Sequence, residues 1–259
     1  MIPAQRRARI LEIVRADGGA SIDSLAEGIG ASTSTVRRDL QFLADQGYLE
    51  RSRGGATVRT LPRTTFEPDH EIGSAVAHGA KVAIGAVAAA RIEPGQSVIL
   101  DSSSTVLEAA RWLVERGISL TAVTNDLRIG EVMADAPGRL IVVGGTLRQR
   151  SRTLVGDPGL SFLQGLRADV ALLGIHAMGD GRLSETSVEL ATMKRAMIAA
   201  ARRRILLVDS SKFDDVAFAS VVPDTGVDEV ILDSGASPAD LARLEQAGLT
   251  VTVAPLEPG

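Results

Sequence analysis

The stretch Ala31-Ser32-Thr33-Ser34-Thr35-Val36-Arg37-Arg38-Asp39-Leu40, running on to Gln46, decides how the first sixty residues fold. Ser32 is a good N-cap. Val36, Leu40 and Leu43 recur at i, i+4 and i+7, so one face of the predicted helix is apolar. The outer face of its first turns presents Thr33, Ser34, Thr35, Arg37, Arg38 and Gln41. Hydroxyls, guanidinium groups and an amide are the groups that contact phosphates and base edges. A helix carrying them near its N-terminus suits the major groove. By itself the helix fits a solvated face of any three-helix domain equally well, so its neighbours matter.

Upstream, a helix is predicted from about Pro3 to Ala16, with Pro3 in the first turn and Ile10, Leu11 and Val14 as its stripe. Asp17-Gly18-Gly19 ends it. A second, short helix starts after the N-cap Ser21 and places Ile22, Leu25 and Ile29 on one face. Gly28-Ile29-Gly30 makes a tight turn into the third helix. Downstream of Gly47, Tyr48 to Val58 reads as two short strands around a basic tip holding Arg51, Arg53 and Gly54. A short second helix, a tight turn, paired arginines and a basic hairpin together read as a winged helix-turn-helix over 1–58. Its candidate DNA-contacting residues are Ser32, Thr33, Ser34, Thr35, Arg37, Arg38, Gln41, Arg51, Arg53 and Gly54.

Charge supports that division. The 259-residue chain carries a net charge of −4. Its first sixty residues hold nine arginines and seven acidic residues, for +2, which leaves −6 on the remainder. A mildly basic head on an acidic body fits an anion-binding module attached to something else. There is no cysteine, hence no disulfide framework and no thiol nucleophile. The first residues, with Arg6, Arg7 and Arg9, show no apolar signal-peptide core. The longest apolar run, Val82 to Ala90, is far below the roughly 20 residues a membrane span needs. A soluble cytoplasmic protein is expected. Only three lysines stand against 25 arginines, which makes each lysine worth locating.

Residues 59–75, with Pro62 and Pro68, read as a linker, and 76–259 as a second domain. In that domain seven short apolar runs recur: 97–101, 120–125, 140–145, 170–175, 205–209, 229–233 and 249–254. Most lack strict alternation, which predicts strands buried on both faces of a mostly parallel sheet. Helical patterns at 75–92, 104–116, 126–136, 157–166, 187–202 and 238–246 flank them, giving an α/β domain. In open parallel sheets, ligands bind beyond the carboxyl ends of the strands. Those ends carry Asp101-Ser102-Ser103-Ser104-Thr105, Thr124-Asn125, Gly144-Gly145, His176 and Asp209-Ser210-Ser211-Lys212. Such groups suit a polyol.

The 101–105 turn opens a helix whose free N–H groups can hold a phosphate, or whose serines simply cap it. Asp101 is assigned to sugar hydroxyls rather than to the anion. Gly144-Gly145 either lets a ligand approach closely or makes a turn. Lys194 and Lys212 can supply positive charge, and Lys194 also fits a solvated helix position. His176 is either a contact or a structural histidine. The candidate effector residues are Asp101, Ser102, Ser103, Ser104, Thr105, Thr124, Asn125, Gly144, Gly145, Lys194, Asp209 and Lys212. Histidines at 70, 78 and 176 are too scattered for a zinc site, and no metal or cofactor is expected.

The 31–40 stretch, Gly47-Tyr48-Leu49 and Arg53-Gly54-Gly55-Ala56 resemble the N-terminal signature of the DeoR family of bacterial transcription regulators. Asp101–Thr105, Val123-Thr124-Asn125, Val143-Gly144-Gly145, Lys194-Arg195-Ala196-Met197 and Asp209-Ser210-Ser211-Lys212-Phe213 are similar to the effector domain of the same regulators. The resemblance implies a ribose-5-phosphate isomerase-like fold and a phosphorylated sugar or related metabolite as effector. It also implies control of carbohydrate genes. Two departures stand out: Ser103-Ser104-Thr105 where the family usually has Gly-Thr-Thr, and the segment Ala177–Thr186. The leading expectation is a ligand-responsive repressor that binds double-stranded operator DNA as a homo-oligomer, dimer or tetramer. The alternative is a sugar-phosphate isomerase or deaminase using Asp101 or Asp209 as base. A scaffold that binds nucleic acid without responding to any ligand is the third.

Overall fold

The computed structural model describes residues 1–59 and 64–256. Two compact units divide the chain, Met1–His78 and Gly79–Gly259. The head runs α1 (Pro3–Asp17), β1 (Gly19–Ser21), α2 (Ile22–Ile29), α3 (Thr33–Asp45), β2 (Glu50–Ser52), β3 (Gly55–Thr57) and α4 (His70–Ala75). The predicted inward faces are the buried ones: Ile10, Leu11, Val14, Leu25, Val36, Leu40 and Leu43 share one core. The sequence reading contained the β2–β3 hairpin but not β1, which pairs antiparallel with β3 to complete a sheet of order β1-β3-β2. Gly55 permits that pairing, because a Cβ there would lie 2.1 Å from the Ala20 carbonyl oxygen.

Of the stretch read as a linker, residues 60–63, including Pro62, lie outside the described residues. The rest packs on the head. Phe66 meets Tyr48 edge-on at 4.9 Å, and the Tyr48 hydroxyl accepts the Asp69 N–H at 2.6 Å. Asp69 caps α4, whose Ile72 is buried in the head core. Two anchors in a short segment set no periodicity, which is why sequence alone showed no element there.

The body runs α5 (His78–Ala90), β4 (Ser97–Leu100), α6 (Ser104–Glu115), β5 (Leu120–Thr124), α7 (Leu127–Met133), β6 (Gly138–Val142), β7 (Thr146–Arg148) and β8 (Thr153–Val155). It continues with α8 (Gly159–Gln164), β9 (Ala168–Leu173), β10 (Ala177–Gly179), β11 (Arg182–Glu185), α9 (Val188–Ala200), β12 (Ala201–Val208), β13 (Ala219–Pro223), β14 (Glu229–Asp233), α10 (Pro238–Gln246) and β15 (Thr250–Ala254). Seven strands form a parallel sheet of order β15-β14-β12-β9-β4-β5-β6, and they are the seven apolar runs of the sequence. Val98, Leu100, Val170, Leu172, Ile205 and Leu207 pack on one face with α5, α6 and α7. Ile99, Ala171, Leu173, Leu206 and Val208 pack on the other with α8, α9 and α10. Burial of both faces explains why the central strands β4, β9 and β14 do not alternate polar with apolar, whereas the edge strand β15, Thr-Val-Thr-Val-Ala, does.

Beyond the sheet lie the hairpin β7–β8 and a small antiparallel sheet β10-β11-β13, neither expected from sequence. Most of their strands are only three or four residues long, too short for a period-2 signal.

Chain order reverses between β4 and β9: β5 and β6 follow on one side, and β9, β12, β14 and β15 on the other. The crevice beyond those two strands is the switch point where α/β sheets bind ligands. At the opposite edge, Arg91, just past α5, donates to Glu229 at the start of β14. Helix α5 therefore runs antiparallel to the strands. Its first turn, with Lys81, lies about 15 Å away at the carboxyl edge, at 1.5 Å rise per residue.

Candidate functional site

In the head, capping engages the hydroxyls at the start of α3. Ser32 Oγ accepts the Thr35 N–H at 3.2 Å and lies 2.9 Å from both Ser34 Oγ and Thr35 Oγ1. Thr33 is half-buried beside them. Arg37 and Arg38 are exposed, and Arg38 Nε donates to the Ser34 carbonyl at 3.4 Å. Gln41 bridges two elements: its amide donates to Asp45 at 2.7 Å, and its Oε1 accepts Arg51 Nη1 of β2 at 2.7 Å. That bond ties the third helix to the wing. Arg53 is exposed at the wing tip beside Gly54, whose φ of 91° suits glycine. Arg37 and Arg53 have no hydrogen bond or ion pair among the described residues.

A third set, absent from the sequence candidates, orients α3. Asp39 is buried and accepts Arg6 Nε at 2.5 Å and Arg7 Nε at 3.0 Å, both from α1. The Arg7 guanidinium also stacks 3.6 Å above the Phe42 ring. The signal was present in sequence: Asp39 falls three residues after Val36, on the inward stripe.

In the body, Asp101 stands at the end of β4 and is 1% exposed. One oxygen, Oδ2, accepts the Gly174 N–H across the switch point at 3.0 Å and the ammonium of Lys194. Lys194, from α9, also donates to the Gly174 carbonyl at 2.9 Å and pairs with Glu185 of β11 at 3.4 Å. An ammonium has three N–H bonds, and all three of Lys194 are engaged. Lys194 bears on the crevice as the group that holds Asp101. The other Asp101 oxygen, Oδ1, is buried without a partner, as are Asn125 Oδ1 and Thr186 Oγ1. Asn125 is one position past the β4–β5 pairing Leu100↔Thr124, in register with Asp101.

Several candidates have local structural partners. Ser103 Oγ accepts the N–H groups of Thr105 and Val106 as N-cap of α6. Its φ of −160° is extended backbone that any residue adopts, so serine here costs the turn nothing relative to glycine. Ser102 and Ser104 are half-buried, and Thr105 is buried. Thr124 donates to the Leu100 carbonyl at 2.7 Å and accepts the Asp126 N–H at 3.1 Å. Gly145, at φ 147°, turns the chain into β7, and a Cβ there would lie 2.6 Å from the Val155 carbonyl oxygen. Gly144 lies against Pro158, 3.0 Å from where its Cβ would be. At the switch point the needed glycine is Gly174, where a Cβ would meet the Ser103 side chain at 2.2 Å. His176 is half-buried on the loop after β9.

The electrostatics differ along the crevice. Burial drives the Asp101 carboxyl above its ordinary range, against the opposing pull of Lys194. Burial does the same to Glu185. Burial weakens the Lys194 ammonium, but Asp101 and Glu185 outweigh it and raise its pKa. At the end of β12, burial opposes ionisation of Asp209, and the ammonium groups of Lys212 and Lys81 overcome it, so its carboxyl titrates low. Asp209 also accepts the Ser211 N–H at 3.2 Å. All three lysines of the chain therefore gather at the carboxyl edge of the sheet. Lys81, Glu185 and Thr186 were not sequence candidates. Scarcity of lysine was the one available signal for Lys81, and the other two close the departing segment Ala177–Thr186.

The chain matches two family models, the DeoR-like helix-turn-helix domain over residues 6–60 and the DeoR C terminal sensor domain over 76–234. It is 34% identical to the HTH-type transcriptional regulator YgbI of Escherichia coli (strain K12), over 98% of this chain and 99% of that one. It is 32% identical to the HTH-type transcriptional regulator GlpR of Haloferax volcanii, over 97% and 98%. Identity to the glycerol-3-phosphate regulon repressor of E. coli (strain K12) is 32%, over 90% and 92%. Among solved structures, ribose 5-phosphate isomerase A of Methanocaldococcus jannaschii aligns at 16% identity and TM-score 0.38, over 51% of this chain and 53% of that one. Translation initiation factor eIF-2B of Pyrococcus horikoshii OT3 aligns at 15% and 0.44, over 89% and 82%. A winged helix-turn-helix followed by a parallel α/β body, both matched by models of one family, leads to a single conclusion: the chain belongs to the DeoR family of transcriptional regulators.

Proposed function

We propose that this chain is a cytoplasmic repressor of carbohydrate-metabolism genes, bound to double-stranded operator DNA through residues 1–58 and released or retained by a phosphorylated sugar held in 76–259. One observation carries the reading: a head with two exposed, unpaired arginines shares its chain with a crevice holding buried acceptors that lack partners. Arg37, Arg38 and Arg53 reach phosphates and bases, while Ser32–Thr35 and Gly54 set the approach of helix and wing. Gln41 and Arg51 exchange their mutual bond for DNA contacts. In the crevice, Asp101, Asn125, the Ser102–Thr105 turn, Asp209 and Lys212 face the sugar. Thr124, Gly144, Gly145 and Lys194 shape it.

One head offers few base contacts, so a symmetric homo-oligomer on repeated half-sites is the working assembly. The effector acts by binding one arrangement of the heads better than another. No enzymatic turnover is required, and the relatives with named roles are regulators or repressors. No helix of the described residues is long and apolar enough to cross a membrane.

The test is anisotropy of a labelled duplex from the chain's own promoter region, at low ionic strength, titrated with protein and then with sugar phosphates. Specific binding altered by one of them is the expected result. Indifference to the duplex sinks the DNA reading. Turnover of ribose 5-phosphate or glucosamine 6-phosphate would restore the enzyme reading.

A further inference from the structure

The crevice between β4 and β9 holds an unusual balance of donors and acceptors. The ammonium beside Asp101, Lys194, has no N–H left, because Asp101, Gly174 and Glu185 take all three. What remains unpartnered is nearly all acceptor. Asp101 Oδ1 accepts only. Asn125 is fixed in orientation, because its amide nitrogen donates to the Leu154 carbonyl at 3.1 Å and the reverse orientation would set oxygen against oxygen. Its Oδ1 is therefore the unpartnered atom. Asp101 and Asn125 are both 1% exposed, and their strands lie about 4.8 Å apart in the sheet. Thr186 Oγ1, next to Glu185, is the third buried atom without a partner. A buried acceptor left unmade costs about 1–3 kcal/mol, so these sites favour anything that brings donors to them.

Charge adds a second filter. Asp101 and Glu185 are two carboxyl groups around a single ammonium, and burial already resists the ionisation of both. A further carboxylate placed beside them would find the Lys194 ammonium already engaged and would meet like charge at short range.

We infer that Glu185 is a specificity-determining residue of this crevice. With Asp101, Asn125 and Thr186 it selects effectors whose non-phosphorylated end is a neutral run of hydroxyl groups, and it rejects those ending in a carboxylate. The inference rests on the sugar-phosphate reading above and extends it to the chemistry of the effector's far end. Hydroxyls supply the donors that Asp101 Oδ1 and Asn125 Oδ1 lack. Glu185 supplies the repulsion that excludes sugar acids.

The test compares two sets of probes on the full chain by calorimetric titration. One set is ribose 5-phosphate, fructose 6-phosphate and glycerol 3-phosphate. The other is 6-phosphogluconate, 4-phosphoerythronate and 3-phosphoglycerate. The tightest hydroxyl-ended probe is expected to bind at least tenfold more tightly than any carboxylate-ended one. Glu185→Gln, which removes the charge and adds a donor, is expected to narrow that ratio at least tenfold.

Thr186→Val gives a second readout. Loss of an unpartnered buried hydroxyl leaves the ligand-free melting temperature equal or higher, while affinity for the hydroxyl-ended probe falls several-fold. A purely packing role for Thr186 would not separate the two. Wild-type protein that binds both sets equally, or prefers the acids, overturns this inference and leaves the sugar-phosphate reading standing. Retention of the full ratio by Glu185→Gln overturns it as well. Binding of neither set overturns both.

Discussion

Lys194 and Asp39 carry out the same task in the two halves of the chain: each is a buried charge that fixes the position of another group. Removing one partner of such a set leaves the others uncompensated, which costs about 3–5 kcal/mol. Lys194→Ala should therefore destabilise the body by about that much in urea unfolding, whether or not any ligand is present. Asp39→Ala should loosen α3 and weaken duplex binding, although Asp39 touches no DNA. Arg37→Ala should act differently, leaving the fold intact and costing about 1–3 kcal/mol of operator affinity, read as a loss of about 5- to 150-fold in anisotropy.

Glu185 makes a pH prediction. Its folded pKa lies above the ordinary 4.5, chiefly through burial, so the folded state holds the proton more tightly than the unfolded chain does. Wild-type stability contributed by this group is thus greatest at low pH and declines as pH rises from 4.5 through the folded value. Glu185→Gln, which cannot ionise, should gain stability relative to wild type over that window. A stability difference that stays flat with pH would exclude the coupling.

At the level of elements, the ends of helices and the closeness of strands matter most. Ser32 caps α3, and Ser32→Ala should cost about 1 kcal/mol in head stability, with a matching loss of duplex affinity as the first turn frays. Gly174 and Ser103 face each other across the switch point, and Gly174→Ala drives a methyl group into the Ser103 side chain. Overpacking of this kind costs about 1–3 kcal/mol. The double variant Gly174→Ala with Ser103→Gly should recover part of that loss, offset by the missing N-cap of α6. Strict additivity of the two single changes would show that the contact is not real.

The whole chain consists of two units with separate cores, so each should respond to its own ligand. In a calorimetric scan, a sugar phosphate at about 100 times its Kd should stabilise the body by about 2.7 kcal/mol, and promoter duplex should raise the transition of the head. A shift of both transitions by the sugar phosphate alone, without DNA, would mean that the two units unfold as one.

Sequence alone determined most of the architecture. The i, i+4, i+7 stripe of α3, the N-caps Ser21 and Ser32 and the basic hairpin marked the head. The seven short apolar runs marked the parallel sheet, because its central strands, covered by helices on both sides, lose their alternation and keep only their length and composition. The serine turn, Asp101 and Asn125 were legible because polar residues gather at strand ends. The short strands β1, β7, β8, β10, β11 and β13 left no pattern, since three to five residues hold too few repeats of any period.

The gathering of Asp101 and Glu185 around Lys194 was decided only by the tertiary structure. Asp101 lies 93 residues before Lys194, and no local rule joins them. It is the chain reversal between β4 and β9 that brings them into one low-dielectric place, where each charge must find a partner and where an atom left without one becomes a request for a ligand.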